Sequence, residues 1–327
     1  MMNDKLYLLK SLMIGHAVGD ALGVPVEFCE REELDADPVT DMRGFGTYDV
    51  PAGAWSDDTS MSLATLDSLT SGNVDLFGIM VNFAQWLGQN EYTPTGETFD
   101  AGRTYSEAIL DFINISYCKD HGFILPPGFD MSSCGKKEER SNGNGSLMRI
   151  HPVAFIAWCN RQVHAEWETV IEKVSALTHA HERSVLGCKI YTFVLFHLLN
   201  EPSKVSVKLA LHMAECFFAH NPEYDHYQRL FEMNFADLPR EQIKSSGYVV
   251  DTLEAALWCL LTTDSYKDCV LKAVNLGSDT DTVAAVAGGL AGVLYGYDAI
   301  PAEWRNTLIK REYIEEMCEK LCKNLAQ

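Results

Sequence analysis

Two short stretches place paired carboxylates beside hydroxyls just where helical periodicity begins. Trp55-Ser56-Asp57-Asp58-Thr59-Ser60 precedes the apolar run Met61–Leu69, and Gly277-Ser278-Asp279-Thr280-Asp281-Thr282 precedes the small-residue run Val283–Tyr295. A Ser or Asp at a helix start caps it, and acids in the first turn complement its dipole. Capping accounts readily for one acid in each box and less well for the second. Asp279 and Asp281, two apart in a loop, can point oxygens at one centre, and hard cations such as Mg²⁺ take carboxylate, hydroxyl and water oxygens. Four carboxylates brought together cannot all stay ionised without a cation to offset their repulsion. The boxes therefore read as two halves of a divalent-cation site, with two well-capped helices as the alternative.

A third stretch, Ser141-Asn142-Gly143-Asn144-Gly145-Ser146-Leu147-Met148-Arg149, alternates glycine with short polar residues. Such a chain can turn backbone N–H groups towards a phosphate or diphosphate. It lacks the Gly-Lys-Ser/Thr ending of a P-loop, and a plain turn at a helix start is its bland reading. In Thr178-His179-Ala180-His181, histidines two apart fall on different helix faces, which disfavours joint metal ligation. One of them could donate to a phosphate oxygen, or each could be a satisfied, partly buried histidine. Gly15 to Phe28 closes an early helix; Gly19 and Gly23 suit close backbone packing, while Asp20 and Glu27 add two more acids. A carboxylate such as Asp20 can also simply hold neighbouring backbone.

The elements that must position these residues read as helices. Apolar or small residues recur at three- and four-residue steps over Leu8–Leu12–Gly15, Met61–Leu69, Leu76–Leu87, Val170–Leu177, Val185–Leu199, Val207–Phe218, Leu253–Leu261 and Val283–Tyr295, and strand-like alternation is nearly absent. Helix lengths and spacings are too irregular for a solenoid. The least periodic segment is Cys118 to Gly145; a loop of that length in a compact domain is usually functional or mobile. No shift of composition marks a boundary, so residues 1–327 are expected to form a single all-α domain.

With 327 residues, 47% hydrophobic and 22% charged, the chain can bury a large core, which excludes general disorder. A net charge of −20 argues against nucleic-acid and anionic-membrane binding, since both need a basic footprint. The longest uncharged apolar stretch before Asp298, Val283 to Tyr297, falls short of the ~20 residues that span a bilayer. The N-terminus shows no secretory signal, and the ten cysteines include no CxxC pair. Free thiols and a cytoplasmic location are expected.

In order along the chain, Gly19–Phe28 (GDALGVPVEF), Trp55–Met61 (WSDDTSM), Asn142–Arg149 (NGNGSLMR), Leu177–His181 (LTHAH), Gly247–Trp258 (GYVVDTLEAALW) and Asn275–Gly296 (NLGSDTDTVAAVAGGLAGVLYG) resemble the ADP-ribosylglycohydrolase family. The SDDT and SDTDT boxes are specific in combination. The Gly247–Trp258 segment is similar to bacterial members of the kind that reactivate dinitrogenase reductase. The resemblance implies a compact, orthogonal, all-α multi-helix bundle with a binuclear Mg²⁺ or Mn²⁺ site in a central cleft. It implies Ser56, Asp57, Asp58, Asp279, Asp281 and Thr282 as metal ligands, and Asp57, Asp58 and Glu27 as catalytic. Ser141, Asn142, Gly143, Asn144, Gly145, Ser146 and His179 would hold the diphosphate of ADP-ribose, with Tyr248 on the nucleotide side. Cys118–Arg140 matches no family motif, and as an insertion it would shape access by a modified protein.

The physical reading agrees. Hydrolysis at a ribosyl C1″ passes through an oxocarbenium-like state and needs a poised water. Two cations can grip ribose hydroxyls and acidify that water while Asp57 or Asp58 takes its proton. The expected activity is metal-dependent removal of ADP-ribose from a modified acceptor, foremost protein arginine. A non-catalytic ADP-ribose-binding or structural protein on the same scaffold, and a two-metal hydrolase cutting the diphosphate, are the competing readings.

Overall fold

The two helices that begin at the acid boxes, at Asp57 and at Thr280, are buried on nearly every face. A computed structural model describes residues 2–118, 122–161 and 163–325. Its fourteen α-helices are α1 (Met2–Gly23), α2 (Arg31–Ala36), α3 (Asp57–Ser68), α4 (Leu76–Gln89), α5 (Arg103–Ser116), α6 (His151–Cys159), α7 (His164–Ser175), α8 (Glu182–Asn200), α9 (Lys204–Phe218), α10 (Val249–Leu261), α11 (Tyr266–Val274), α12 (Thr280–Tyr295), α13 (Ala302–Thr307) and α14 (Arg311–Asn324). The only sheet among the described residues is a hairpin pairing Tyr117 with Phe123 and Cys118 with Gly122. The all-α expectation holds. No helix among the described residues is long and apolar enough to cross a membrane.

The central pair is α1 against α12, packed through small residues. A Cβ added at Gly19 would sit 2.1 Å from the Ala284 carbonyl oxygen, and one at Gly23 would sit 2.3 Å from the Asp281 Cα. Only glycine permits that approach, which sets the end of α1 directly against the second acid box. Around this pair, one contiguous cluster of buried side chains runs from Leu9 to Cys322. α8, buried over most of its length, completes the interior.

Several helices gave no clear period in the sequence. α6 is nine residues long and almost wholly buried, so apolar residues cover every face. α5 does carry a buried stripe of Tyr105, Ala108, Ile109 and Phe112. The expected helix at Val170–Leu177 begins earlier, at His164, and ends before Leu177. The unmatched segment Cys118–Arg140 holds part of the hairpin and short 3₁₀ turns, and 119–121 lies outside the described residues. Its Lys136 N–H donates to the Thr178 carbonyl, and the Ala180 N–H donates to the Lys136 carbonyl, which clamps the segment across His179.

Candidate active site

The first box opens α3 as its pattern implies. Ser56 is the N-cap, with its Oγ accepting from the Asp58 N–H at 3.3 Å, so Asp57 and Asp58 are released from capping. Asp20, from α1, holds this turn from below. It accepts from the Ser56 N–H at 2.9 Å, the Thr59 N–H at 3.0 Å and the Thr59 hydroxyl at 2.6 Å. Asp279 stands at the N-cap position of α12 but makes no side-chain cap bond. Instead its carboxylate accepts from Asn144 Nδ2 at 2.8 Å. Asp281 Oδ1 accepts from the Thr282 N–H at 2.8 Å.

Tertiary packing gathers the acids into two groups that share Asp281. Asp20, Asp58 and Asp281 offer oxygens within 4.8 Å of one another, and so do Glu27, Asp279 and Asp281. Asp58 Oδ1, Asp281 Oδ2 and Glu27 Oε2 are buried without a hydrogen-bond partner. Burial, then repulsion from Asp100 and Asp279, pushes Glu27 up to about 9. Burial also raises Asp57, Asp58 and Asp281 far above the carboxylate range, with neighbouring carboxylates adding to it. Among the described residues, no lysine or arginine pairs with these acids. Buried carboxylate oxygens without a partner are the donor set a hard divalent ion takes. The residues fit two such ions with Asp281 between them.

Not every expected ligand sits alike. Asp57 lies in neither group. Its Oδ2 accepts instead from the Tyr105 hydroxyl. Asp100, in the loop before α5, also crowds the site, and repulsion from it raises Glu27, Asp57, Asp58 and Asp281 after burial has done so. Tyr48, tilted against Phe99 with ring centroids 5.0 Å apart, faces both Glu27 and Asp100. Asp100, Tyr48 and Tyr105 went unread in the sequence. Asp100 lies in the aperiodic stretch between α4 and α5, Tyr48 in the one between α2 and α3, and Tyr105 on the buried stripe of α5.

The glycine loop sits beside the second box. Gly143 bridges Tyr248 in an isolated antiparallel pair, with the Asn144 N–H on the Gly247 carbonyl and the Val249 N–H on the Asn142 carbonyl, both at 3.0 Å. The N–H groups of Gly143, Gly145 and Ser146 have no acceptor among the described residues. Neither Gly143 nor Gly145 has positive φ. What Gly145 requires is space, because a Cβ there would lie 2.7 Å from Tyr105 Cδ1 and 2.9 Å from His179 Cε1. His179 is buried, and burial lowers its pKa to about 3, so its ring is neutral. Thr178 Oγ1 accepts from Arg149 at 2.8 Å and lies 2.9 Å from His179 Nδ1. The other ring nitrogen, Nε2, is 3.6 Å from a Cβ placed at Gly143. Asn142 Oδ1 accepts from Ser184, and Ser141 Oγ meets Glu138. The Ser146 hydroxyl is committed to a buried contact with Ser175 and Cys188. Tyr248 is half-buried beneath Arg183. A cavity of about 490 Å³ between Phe129–Met131 and Lys173–Val185 is lined by none of these residues.

Comparison with known proteins decides the family. The ADP-ribosylglycohydrolase profile matches residues 3–327. The chain belongs to the ADP-ribosylglycohydrolase family. It is 32% identical over 321 residues, 98% of this chain and 80% of the relative, to an ADP-ribosylarginine hydrolase Tri1 of Serratia proteamaculans. It is 30% identical to the ADP-ribosyl-[dinitrogen reductase] glycohydrolase of Rhodospirillum rubrum, covering 90% of this chain and 88% of that one. A solved structure titled ADP-ribosylglycohydrolase-related protein complex superposes with a TM-score of 0.78 at 26% identity, covering 98% and 99% of the two chains. This ADP-ribosylglycohydrolase is thus an all-α hydrolytic enzyme that removes ADP-ribose from a modified acceptor. The matched span contains all of the motifs read from residues 19 to 296.

Proposed function

We propose that this ADP-ribosylglycohydrolase cleaves the N-glycosidic bond between ADP-ribose and protein arginine with two divalent cations, Mg²⁺ or Mn²⁺. The carrying observation is the pair of carboxylate groups sharing Asp281, whose buried oxygens lack partners. Ser56, Asp57, Asp58, Asp279, Asp281 and Thr282 would hold the cations, with Asp20 completing one group and Glu27 the other. Bound there, the cations supply Lewis acidity towards ribose hydroxyls and lower the pKa of a water.

The chain's own residues do the rest. Asp57 or Asp58 accepts the proton of the water as its oxygen bonds to C1″ and the C1″–N bond breaks; a proton passes to the departing guanidine nitrogen. With the cations bound, the carboxyl groups of Glu27 and Asp100, both facing Tyr48, would form an acidic pocket suited to a guanidinium. Backbone N–H groups of Gly143, Gly145 and Ser146, with the His179 imidazole beside them, bind the diphosphate. Held far from C1″, it positions the ribose. Ser141, Asn142 and Asn144 set the loop, and Tyr248 walls the nucleotide side. We take residues 1–327 as one catalytic domain, and nine of its cysteines, being free thiols, suit the cytoplasm.

Incubation with an ADP-ribosylated arginine peptide and Mg²⁺ or Mn²⁺ tests the reading. Release of ADP-ribose is expected. Binding without release would replace catalysis by a non-catalytic ADP-ribose-binding role, and release of AMP would mean that the diphosphate is cut instead.

A further inference from the structure

The first acid box and the glycine loop are separated by more than eighty residues, yet one side chain touches both. Tyr105 lies in the first turn of α5 and is buried. Its hydroxyl donates to Asp57 Oδ2 and receives the Gly102 N–H. The edge of its ring meets the loop at Gly145, where an added Cβ would be 2.7 Å from Tyr105 Cδ1 and 2.9 Å from His179 Cε1. Trp86 backs the ring, with centroids 5.9 Å apart.

We propose that Tyr105 is a positioning residue that ties Asp57 to the glycine loop, so that the acid box and the anion cradle are set by one side chain. Two separable parts of the tyrosine do this. The hydroxyl occupies Asp57 Oδ2 and fixes the rotation of a carboxylate that stands outside both acid groups, leaving Oδ1 for a cation or water. The ring is one of two walls, with His179, that close on Gly145, and so fixes how close the loop's N–H groups come to a diphosphate. The loop is tied to the other box independently, through Asn144 Nδ2 and Asp279. Tyr105 supplies the missing tie to the first. This rests on the reading of Asp57 as a cation ligand and of the loop as the diphosphate cradle.

The two parts separate by substitution. Tyr105→Phe removes only the hydroxyl, whereas Tyr105→Leu also removes the wall. Calorimetric titration of Mn²⁺ into the metal-stripped full chain, then of ADP-ribose into the Mn²⁺-loaded chain, reads each tie. For Tyr105→Phe, Mn²⁺ affinity is expected to fall about tenfold, the scale found when a partner that orients a metal ligand is removed. ADP-ribose affinity should stay within about threefold, and kcat should fall with KM nearly unchanged. For Tyr105→Leu, ADP-ribose affinity should also fall about tenfold. Mn²⁺ affinity and kcat of Tyr105→Phe at or above wild type would overturn the proposal, as would variants that lose only thermal stability. Should the wild-type chain take up no Mn²⁺, the cation reading of the boxes fails on its own account. The ADP-ribose titration of Tyr105→Leu then still decides the loop half, and wild-type affinity there refutes it.

Discussion

Asp20 on α1 accepts both the Thr59 hydroxyl, at 2.6 Å, and the Thr59 N–H, at 3.0 Å, across a sequence separation of 39 residues. The same carboxylate takes the Ser56 N–H and reaches towards Asp58 and Asp281. One buried acid therefore shapes the turn that presents the first box. Asp20→Ala strands three buried donors, at a cost on the order of 1–3 kcal/mol. Thermal unfolding should show that loss, and the stabilising response to Mn²⁺ should shrink further than the loss of stability explains. A full Mn²⁺ response in Asp20→Ala would limit Asp20 to holding backbone.

Asp58→Asn and Asp281→Asn are expected to have the opposite effect on the metal-free protein. Each removes a buried carboxylate with an unpartnered oxygen, so repulsion within the site falls and the unfolding temperature should rise slightly. Stabilisation by millimolar Mg²⁺ or Mn²⁺, expected in the wild type from ions that bind only the folded site, should be lost with activity. If both variants keep wild-type metal stoichiometry, these two acids are not ligands.

The acid cluster also sets a pH dependence. Glu27 is held at about 9 in the folded chain without cations, against about 4.3 in an unfolded one. A carboxyl raised on folding contributes stability that is present at low pH and lost as pH rises through the folded value. Above pH 7, histidines held low by burial, such as His179 and His16, are neutral in both states and drop out. Between pH 7 and 9 the metal-stripped protein should therefore lose thermal stability, on the order of a few degrees. Added Mn²⁺ should restore it, with proton release detectable by calorimetry in buffers of different ionisation enthalpy. A metal-free protein whose stability is flat across that range would contradict the assigned burial of Glu27.

Gly145 and Gly143 should answer differently to substitution. At Gly145 a side chain meets Tyr105 and His179 below 3.0 Å, whereas at Gly143 the nearest atoms are 3.6 Å away. Gly145→Val should lower ADP-ribose affinity tenfold or more, about 1.4 kcal/mol, while Mn²⁺ still binds. Gly143→Ala should fold normally, since it meets only ordinary contact distances. Calorimetry on the folded fraction separates a cradle from a plain turn, and wild-type affinity in Gly145→Val would remove the cradle.

Much of the site was legible because its signals are local. Ser56 and the acids that follow it, like Asp279 and Asp281, sit within a single turn of a helix start, where residue type and spacing alone restrict what the side chains can do. Gly19 and Gly23 likewise announced a close helix contact through their smallness, and α12 is the helix they meet. The all-α class followed from three- and four-residue periodicity, which is also local.

What the linear pattern could not decide is which distant groups converge. Asp20 and Glu27 join Asp58, Asp279 and Asp281 only because glycines let α1 lie directly on α12. Tyr105 reaches Asp57 across 48 residues, and Asn144 reaches Asp279 across 135. Such meetings depend on how buried helices pack around one core, and packing answers to the summed shape of many side chains rather than to any short run of sequence. The residue types showed that carboxylates and glycines were available for this chemistry. Tertiary structure alone decided that Asp281 would stand in both acid groups, that Asp57 would turn to a tyrosine, and that Gly145 would be required for space rather than for its backbone freedom.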